Sequence, residues 1–265
     1  MKRAFDFLCA LGGLLLLSPV LLLSACAVFL EDRHSPLYLG VRVGRFGVPF
    51  RMVKFRSMIP DAWRNGVSST SAGDQRITRT GALLRAVKLD ELPQLWNVLI
   101  GQMSLVGPRP QVATDAAMYT IEERRMLDAR PGVTDLASIV FADEGQILAD
   151  ADNPDLLYNQ IIRPWKSRLA LLHLDHQSLA TDLRIIALTL LSAISRQRAL
   201  NAVETMLLEW KADPLLVLMS RREHRLQPWP PPGAQQIVSQ YPLAADETKR
   251  AIPADPQPRR ATAQV

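Results

Sequence analysis

The sequence predicts an α+β fold that is mainly α: a membrane-inserted apolar helix, a small β-hairpin and a set of amphipathic helices. Residues 4–30 are almost entirely apolar, residues 37–58 alternate apolar and polar side chains around Gly44 and Gly47, and apolar positions then recur around 83–100, 115–128, 154–172 and 178–194. A period of two marks a strand and a period of 3.6 a helix. With 265 residues, 48% of them hydrophobic, the chain can bury one core of ordinary domain size and still leave an anchor and a tail. The expected organisation is an anchoring segment over 1–35, a single domain over 36–195, a helical extension over 196–226 and a Pro-rich, mostly disordered tail over 227–265.

The anchor comes first. As one helix, residues 4–30 would reach roughly 40 Å, more than the roughly 30 Å of a hydrocarbon core. Ser18-Pro19 interrupts them midway. Proline has no N–H and crowds the carbonyl of Leu15, and the Ser18 hydroxyl can bond back to a freed carbonyl, so a bend is expected there. Lys2 and Arg3 precede the segment, and Arg33, Arg42 and Arg45 follow it. Basic residues on both flanks suit a re-entrant hairpin that returns to its own leaflet; a straight span leaves one basic flank outside. Either geometry puts the main domain in the cytoplasm, because the heavier basic load lies after the segment. A third reading, a lipoprotein signal, rests on Leu23-Ser24-Ala25-Cys26, but the apolar stretch is overlong for one.

The hairpin and its surroundings are basic. Between Arg42 and Lys88 ten Lys and Arg face only Asp61 and Asp74, a larger surplus than the +5 of the whole chain. Such a patch attracts phosphates or anionic lipid headgroups. Nucleic acid is not expected, since aromatic interleaving, zinc fingers and basic zippers are missing, and the Gly44/Gly47 spacing is not a Walker loop. Residues 61–80 read as a polar surface loop able to close over a substrate. The two cysteines, Cys9 and Cys26, both lie in the apolar segment, which leaves no thiolate site for the rest of the chain.

The strongest chemical signal is the stretch 84–110, LRAVKLDELPQLWNVLIGQMSLVGPRP. Leu92, Leu95, Trp96 and Leu99 share one helical face, and Pro93 is tolerated only in a first turn, so a helix should begin close to Asp90. A carboxylate at that position is held ionised by the free N–H groups and the helix dipole. An ionised Asp90 can attack phosphorus, Glu91 beside it offers a second oxygen donor for Mg²⁺, and Lys54, Arg85 and Arg109 can neutralise phosphate charge. On residues alone, a helix cap followed by a first-turn acid explains the same pair.

Six pieces in chain order resemble the bacterial sugar transferases, the monotopic phosphoglycosyl transferases. They are KRAFDF at the start, SP at 18–19, RVGRFGVPFRMVKFRSM at 42–58, RITRTGALLR at 76–85, LDELPQLWNVLIGQMSLVGPRP at 89–110 and RPGVT at 130–134. The resemblance implies a transferase that moves a sugar 1-phosphate from a UDP-sugar donor to undecaprenyl phosphate at the cytoplasmic face of the bacterial inner membrane. In that reading Asp90 is the nucleophile, Glu91 its partner, and both hold Mg²⁺. Lys54, Arg85 and Arg109 contact phosphates, and Ser18-Pro19 breaks a re-entrant helix. Anionic lipids are the expected surroundings, and a homodimer stays open. A catalytically silent, membrane-attached phosphate or lipid binder is the competing reading.

After RPGVT the chain departs from the family's usual pattern, with Asp135 and Ser138 followed by Asp143, Glu144, Asp150 and Asp152. No site residue is therefore carried beyond Arg109. His173 and His176 lack a partner at zinc-site spacing and read as surface histidines.

Overall fold

The structure is a computed structural model, and it describes residues 1–62, 69–71 and 73–241. Helices α1 (Lys2–Leu16) and α2 (Ser18–Asp32) meet at 63° across Leu17. Pro19 sits in the first turn of α2, where its missing N–H breaks no helical bond. Ser18 Oγ donates to the Leu15 carbonyl at 2.8 Å, the back-bond expected at the break. No single described helix is long and apolar enough to cross a membrane, whereas the bent pair passes that test together, as a broken span or a re-entrant loop would.

The pair has two unlike sides. Leu8, Leu15, Leu16, Leu22 and Leu23 are exposed, while Ala10 and Val28 are buried against the rest of the chain. Ala10 joins Phe50, Met52, Leu95, Val98 and Met103 in one cluster, and Val28 joins Phe55 and Leu84 in another. Polar side chains reinforce the docking. Asp6 accepts from Ser104 Oγ (2.9 Å) and Leu105 N (3.2 Å), Arg3 donates to the carbonyls of Val98 and Leu99, and Lys2 bonds the Val106 carbonyl and Asp182.

Strands β1 (Leu37–Val43) and β2 (Pro49–Phe55) form the expected hairpin, antiparallel and in register from Leu37 opposite Phe55 to Val43 opposite Pro49. Their turn places Phe46 and Gly47 at positive φ. Helix α3 (Arg79–Ala86) is capped by Thr78, whose side chain accepts from Gly81 N, and its first N–H groups also donate to Glu31 of α2. Then come α4 (Gln94–Leu99), β3 (Ser104–Val106), α5 (Ala113–Ala117) and β4 (Gly132–Thr134). β3 and β4 pair in parallel, a second sheet that three-residue strands leave no periodicity to announce.

Helices α6 (Leu136–Val140), α7 (Glu144–Ile147), α8 (Pro154–Leu157), α9 (Arg163–Asp175), α10 (Leu179–Ile194), α11 (Arg196–Glu209) and α12 (Pro214–Ser220) complete the order. The main core lies among α6, α9, α10, α11 and α12, with Ile139, Ile162, Leu169, Ile185, Val203 and Leu207 inaccessible to solvent. α10 turns Ile185 and Leu188 into that core and leaves Leu183, Leu190 and Ile194 exposed, so it is a core helix with an apolar outer face.

Two expectations need correcting. His173 is not a surface residue: it is buried, with Nε2 3.1 Å from Asp182 Oδ1, because α10 folds back on α9. From Gln227 to Tyr241 the expected tail packs along the domain. Trp229 stacks on Trp165 with ring centroids 5.7 Å apart, Trp229 N donates to the Gln160 carbonyl, Thr120 donates to the Pro232 carbonyl, and the Tyr241 hydroxyl donates to Asp115. Residues 242–265 lie outside the described residues, as do 63–68 and 72 of the loop expected to close over a substrate.

Candidate active site

Four separate segments bring the expected residues together. Lys54 points from β2, Arg85 from α3, Asp90 and Glu91 from a 3-10 turn over Leu89–Glu91, and Arg109 from the chain leaving β3. Asn97 fastens two of these segments: its Oδ1 accepts from Val53 N at 2.9 Å and its Nδ2 donates to the Arg51 carbonyl at 2.8 Å. Residue 54 is thereby held in register with α4. A Cβ on Gly81 would lie 2.1 Å from the Ser57 carbonyl oxygen, so only glycine lets α3 approach β2 this closely. One turn later Arg85 Nη1 reaches Ser57 Oγ at 3.4 Å.

Arg109 is placed by a similar close approach. A Cβ on Gly132 would lie 2.1 Å from Gly107 N, and Gly132 N donates to the Pro108 carbonyl. The two backbones touch, and the segment Gly107-Pro108-Arg109-Pro110 is pinned where β3 meets β4.

Asp90 departs from the sequence-based expectation. The α-helix starts at Gln94, four residues later, and Lys88 opens the 3-10 turn with φ 57°. Asp90 therefore lies ahead of the helix. It is 7% exposed, and burial pushes its carboxyl up, opposed by the nearby Lys54 and reinforced by Glu91. The expected dipole does not set its charge; desolvation does. Among the described residues, none donates a hydrogen bond to Asp90.

Glu91 is the reverse. Lys54 Nζ donates to Oε1 at 2.8 Å, and Arg109 grips both carboxylate oxygens, Nη1 lying 3.2 Å from Oε2. Although burial works the other way, the Arg109 and Lys54 charges hold Glu91 well below the usual carboxylate range. The Lys54 ammonium is pushed down by burial and by Arg109. Two cations expected to meet phosphate are thus turned toward the second acid, forming a charged platform beside the first.

Lys88 was not singled out in the sequence and belongs here. It lies close enough to feel Glu91, Arg109, Asp135 and Asp90, and burial pushes its ammonium down. Its proximity to the pair along the chain was the available signal. Asp135, one of the departures from the family pattern, caps α6 in a reciprocal capping box with Ser138.

No group of three metal-ligating side chains occurs among the described residues. Mg²⁺ commonly takes one or two carboxylates and completes its shell with phosphate oxygens and water. A buried carboxylate without a donor, next to a second acid, suits that use.

The bacterial sugar transferase family profile matches residues 1–196. A UDP-glucose:undecaprenyl-phosphate glucose-1-phosphate transferase of Caulobacter vibrioides is 36% identical over 68% of this chain and 70% of its own length. A UDP-N-acetylgalactosamine-undecaprenyl-phosphate N-acetylgalactosaminephosphotransferase of Aeromonas hydrophila is 38% identical over 57% of this chain and 36% of its own. A UDP-glucose:undecaprenyl-phosphate glucose-1-phosphate transferase of Klebsiella pneumoniae is 36% identical over 75% of this chain and 41% of its own. The chain thus spans well under half the length of the Aeromonas and Klebsiella relatives. With the profile covering the bent helix pair and every segment of the acidic site, the chain belongs to the bacterial sugar transferase family.

Proposed function

We propose that this protein transfers a sugar 1-phosphate from a UDP-sugar to undecaprenyl phosphate, initiating surface glycan assembly at the cytoplasmic face of the inner membrane. The observation that carries this is Asp90: a residue only 7% exposed whose carboxylate oxygens receive no hydrogen bond from the described residues and stay open to a ligand, beside an acid already clamped by Lys54 and Arg109.

The chain's own residues divide the work. An Asp90 oxygen attacks the sugar-bearing phosphorus of the donor, the bond from that phosphorus to the bridging oxygen breaks, and UMP leaves. An oxygen of undecaprenyl phosphate then attacks the same phosphorus, releasing the Asp90 carboxylate and giving the lipid diphosphosugar. Glu91, fixed by Lys54 and Arg109, keeps both cations in place beside the transferring group. Arg85 and Lys88 line the approach and balance phosphate charge. Asp90, with Glu91 beside it, would hold Mg²⁺, which would supply neutralisation of the donor's diphosphate. Burial keeps the nucleophile free of competing hydrogen bonds and raises its basicity, which favours attack once the carboxyl is ionised.

The test uses the full chain in detergent with undecaprenyl phosphate and a panel of UDP-sugars, reading UMP. Wild type should release UMP with one donor and retain radiolabelled sugar on the protein when the acceptor is omitted. Asp90→Asn should do neither. Full turnover by Asp90→Asn would remove the nucleophile assignment, and silence of the wild type with every donor would favour a phosphate or lipid binder. The relatives carry different sugars by name, glucose in two and N-acetylgalactosamine in one, so the panel is also what identifies the sugar.

A further inference from the structure

A second basic centre lies away from the acidic pair, at the foot of α1. It is a cavity of about 330 Å³ lined in part by Arg3, Arg45, Arg130, Asp6 and Asp128, and it shares no lining residue with the Asp90 and Glu91 site. Its cations are fixed by backbone. Arg3 donates to the Val98 and Leu99 carbonyls at 2.5 and 2.6 Å, Arg130 Nε to the Gly101 carbonyl at 2.9 Å, and Arg45 Nε to the Asp128 carbonyl at 2.7 Å. Carbonyl oxygens orient a guanidinium and leave its charge in place.

The carboxylates nearby cancel only part of that charge. Asp6 is taken up by Ser104 and the backbone of Leu105, and the other two cations on the wall, Lys2 and Arg125, are already paired with Asp182 and Asp175. That leaves three guanidiniums against Asp6 and Asp128, one positive charge in surplus. Among the described residues, Arg45 and Arg130 each hydrogen-bond only through Nε, and although the Arg45 guanidinium also lies 4.3 Å from the Phe46 ring centroid, both Nη nitrogens of each remain available as donors. Convergent guanidinium donors match the oxygens of a phosphate. The volume exceeds that of a bare phosphate, leaving room for the group that bears it.

We propose that this cavity binds a phosphate ester, and that its natural occupant is the headgroup of an anionic phospholipid. The source follows from position. The cavity is built on Lys2 and Arg3, where α1 begins, and the exposed leucines of α1 and α2 lie further along the bent pair. With that pair inserted, the cavity sits at headgroup depth. The proposal rests on the membrane-inserted reading for its source, but not for its chemistry. Occupancy would brace the turn at Val98–Gly101, which closes the helix following the acidic pair.

The experiment measures ligand-induced thermal stabilisation of the full chain in neutral detergent. The probes are dihexanoyl-phosphatidylglycerol, dihexanoyl-phosphatidylcholine, glycerol 3-phosphate and inorganic phosphate, each with wild type, Arg45→Gln and Arg45→Gln/Arg130→Gln. Wild type should be stabilised by phosphatidylglycerol, half-saturation should weaken about fivefold in the single variant and at least tenfold in the double, and phosphatidylcholine should act weakly. A wild-type response to glycerol 3-phosphate or inorganic phosphate equal to that of the lipid overturns the lipid source and keeps the phosphate site. No stabilisation by any anion, or the same half-saturation in all three proteins, overturns the site itself. The single variant retains Arg130, so a folding defect in the double leaves a usable comparison. UMP release with the best donor, measured in parallel, should stay within twofold in Arg45→Gln, which separates failure here from failure of the proposed transfer reaction.

Discussion

Two buried acids on either side of Arg109 show opposite solutions to the same electrostatic problem. Glu123 is 0% exposed and saturated: Arg163 donates to both of its oxygens, at 3.1 and 2.5 Å, Ser167 Oγ donates at 2.7 Å and Thr120 N at 3.0 Å. Asp90 is 7% exposed, and among the described residues none donates to its carboxylate. Between them Glu91 resembles Glu123 in its bonding, yet it lies beside Asp90. A saturated acid holds elements together; here Glu123 ties α9 to the segment after α5. An acid without a donor in the chain leaves its oxygens open to a ligand, the role proposed for Asp90.

The largest effect expected to sharpen this contrast is on turnover. Asp90→Asn should lower UMP release by about 10⁴-fold or more, the scale of removing a nucleophile, with thermal stability at pH 7 equal to or above that of wild type. A clear loss of stability in Asp90→Asn would place Asp90 with Glu123 as a structural acid. Glu123→Ala should do the opposite. Breaking one side of a buried pair costs about 3–5 kcal/mol, read as a lower denaturant midpoint, while turnover per folded molecule persists.

The pH dependence of stability separates the acids next. The Asp90 carboxyl is raised in the folded state, so its ionised form is a burden that is relieved as pH falls through the folded value toward the unfolded one. The stability advantage of Asp90→Asn over wild type should therefore be greatest near neutral pH and shrink on acidification. Glu91 is lowered, so its contribution is present above the ordinary carboxylate range and lost as pH falls through its folded value. Urea midpoints from pH 7 down to pH 2 for wild type, Asp90→Asn and Glu91→Gln measure both trends, the Asp90 trend in the upper part of the range and the Glu91 trend in the lower; parallel curves over the whole range would contradict them.

The smallest effect concerns the strap over 227–241. Trp229→Ala removes the stack on Trp165 and should cost about 1 kcal/mol, with donor turnover unchanged. A loss of turnover larger than the loss of stability would tie the strap to the acidic site.

Local chemistry explains what the sequence disclosed. Ser18-Pro19 announced the break between α1 and α2 because a missing N–H and a hydroxyl act within one helical turn. The hairpin over 37–55 followed from alternation around two glycines. The clamp on Glu91 was not readable, since Lys54 and Arg109 stand 37 and 18 residues away in the chain and both looked equally free to meet phosphate. Asp90 lies beside Glu91 as the sequence requires, but its environment depends on desolvation by packing, which no helix-start signal reports. His173 was misread because its partner Asp182 sits across the turn between two helices. The strap was misread because prolines between 228 and 232 indicate only that no helix or strand forms there.

The docking of α1 has a practical consequence for anyone wishing to work without detergent. Lys2, Arg3 and Asp6 are bonded to Val98, Leu99, Ser104, Leu105, Val106 and Asp182, so cutting the chain ahead of Pro36 would not yield the same domain in soluble form. It would strip carbonyl partners from the end of the helix that follows the acidic pair and leave Asp182 and His173 buried without their cation. Replacing the outward-facing leucines with polar residues, and leaving the inward-facing side of the bent pair untouched, is the route this architecture permits.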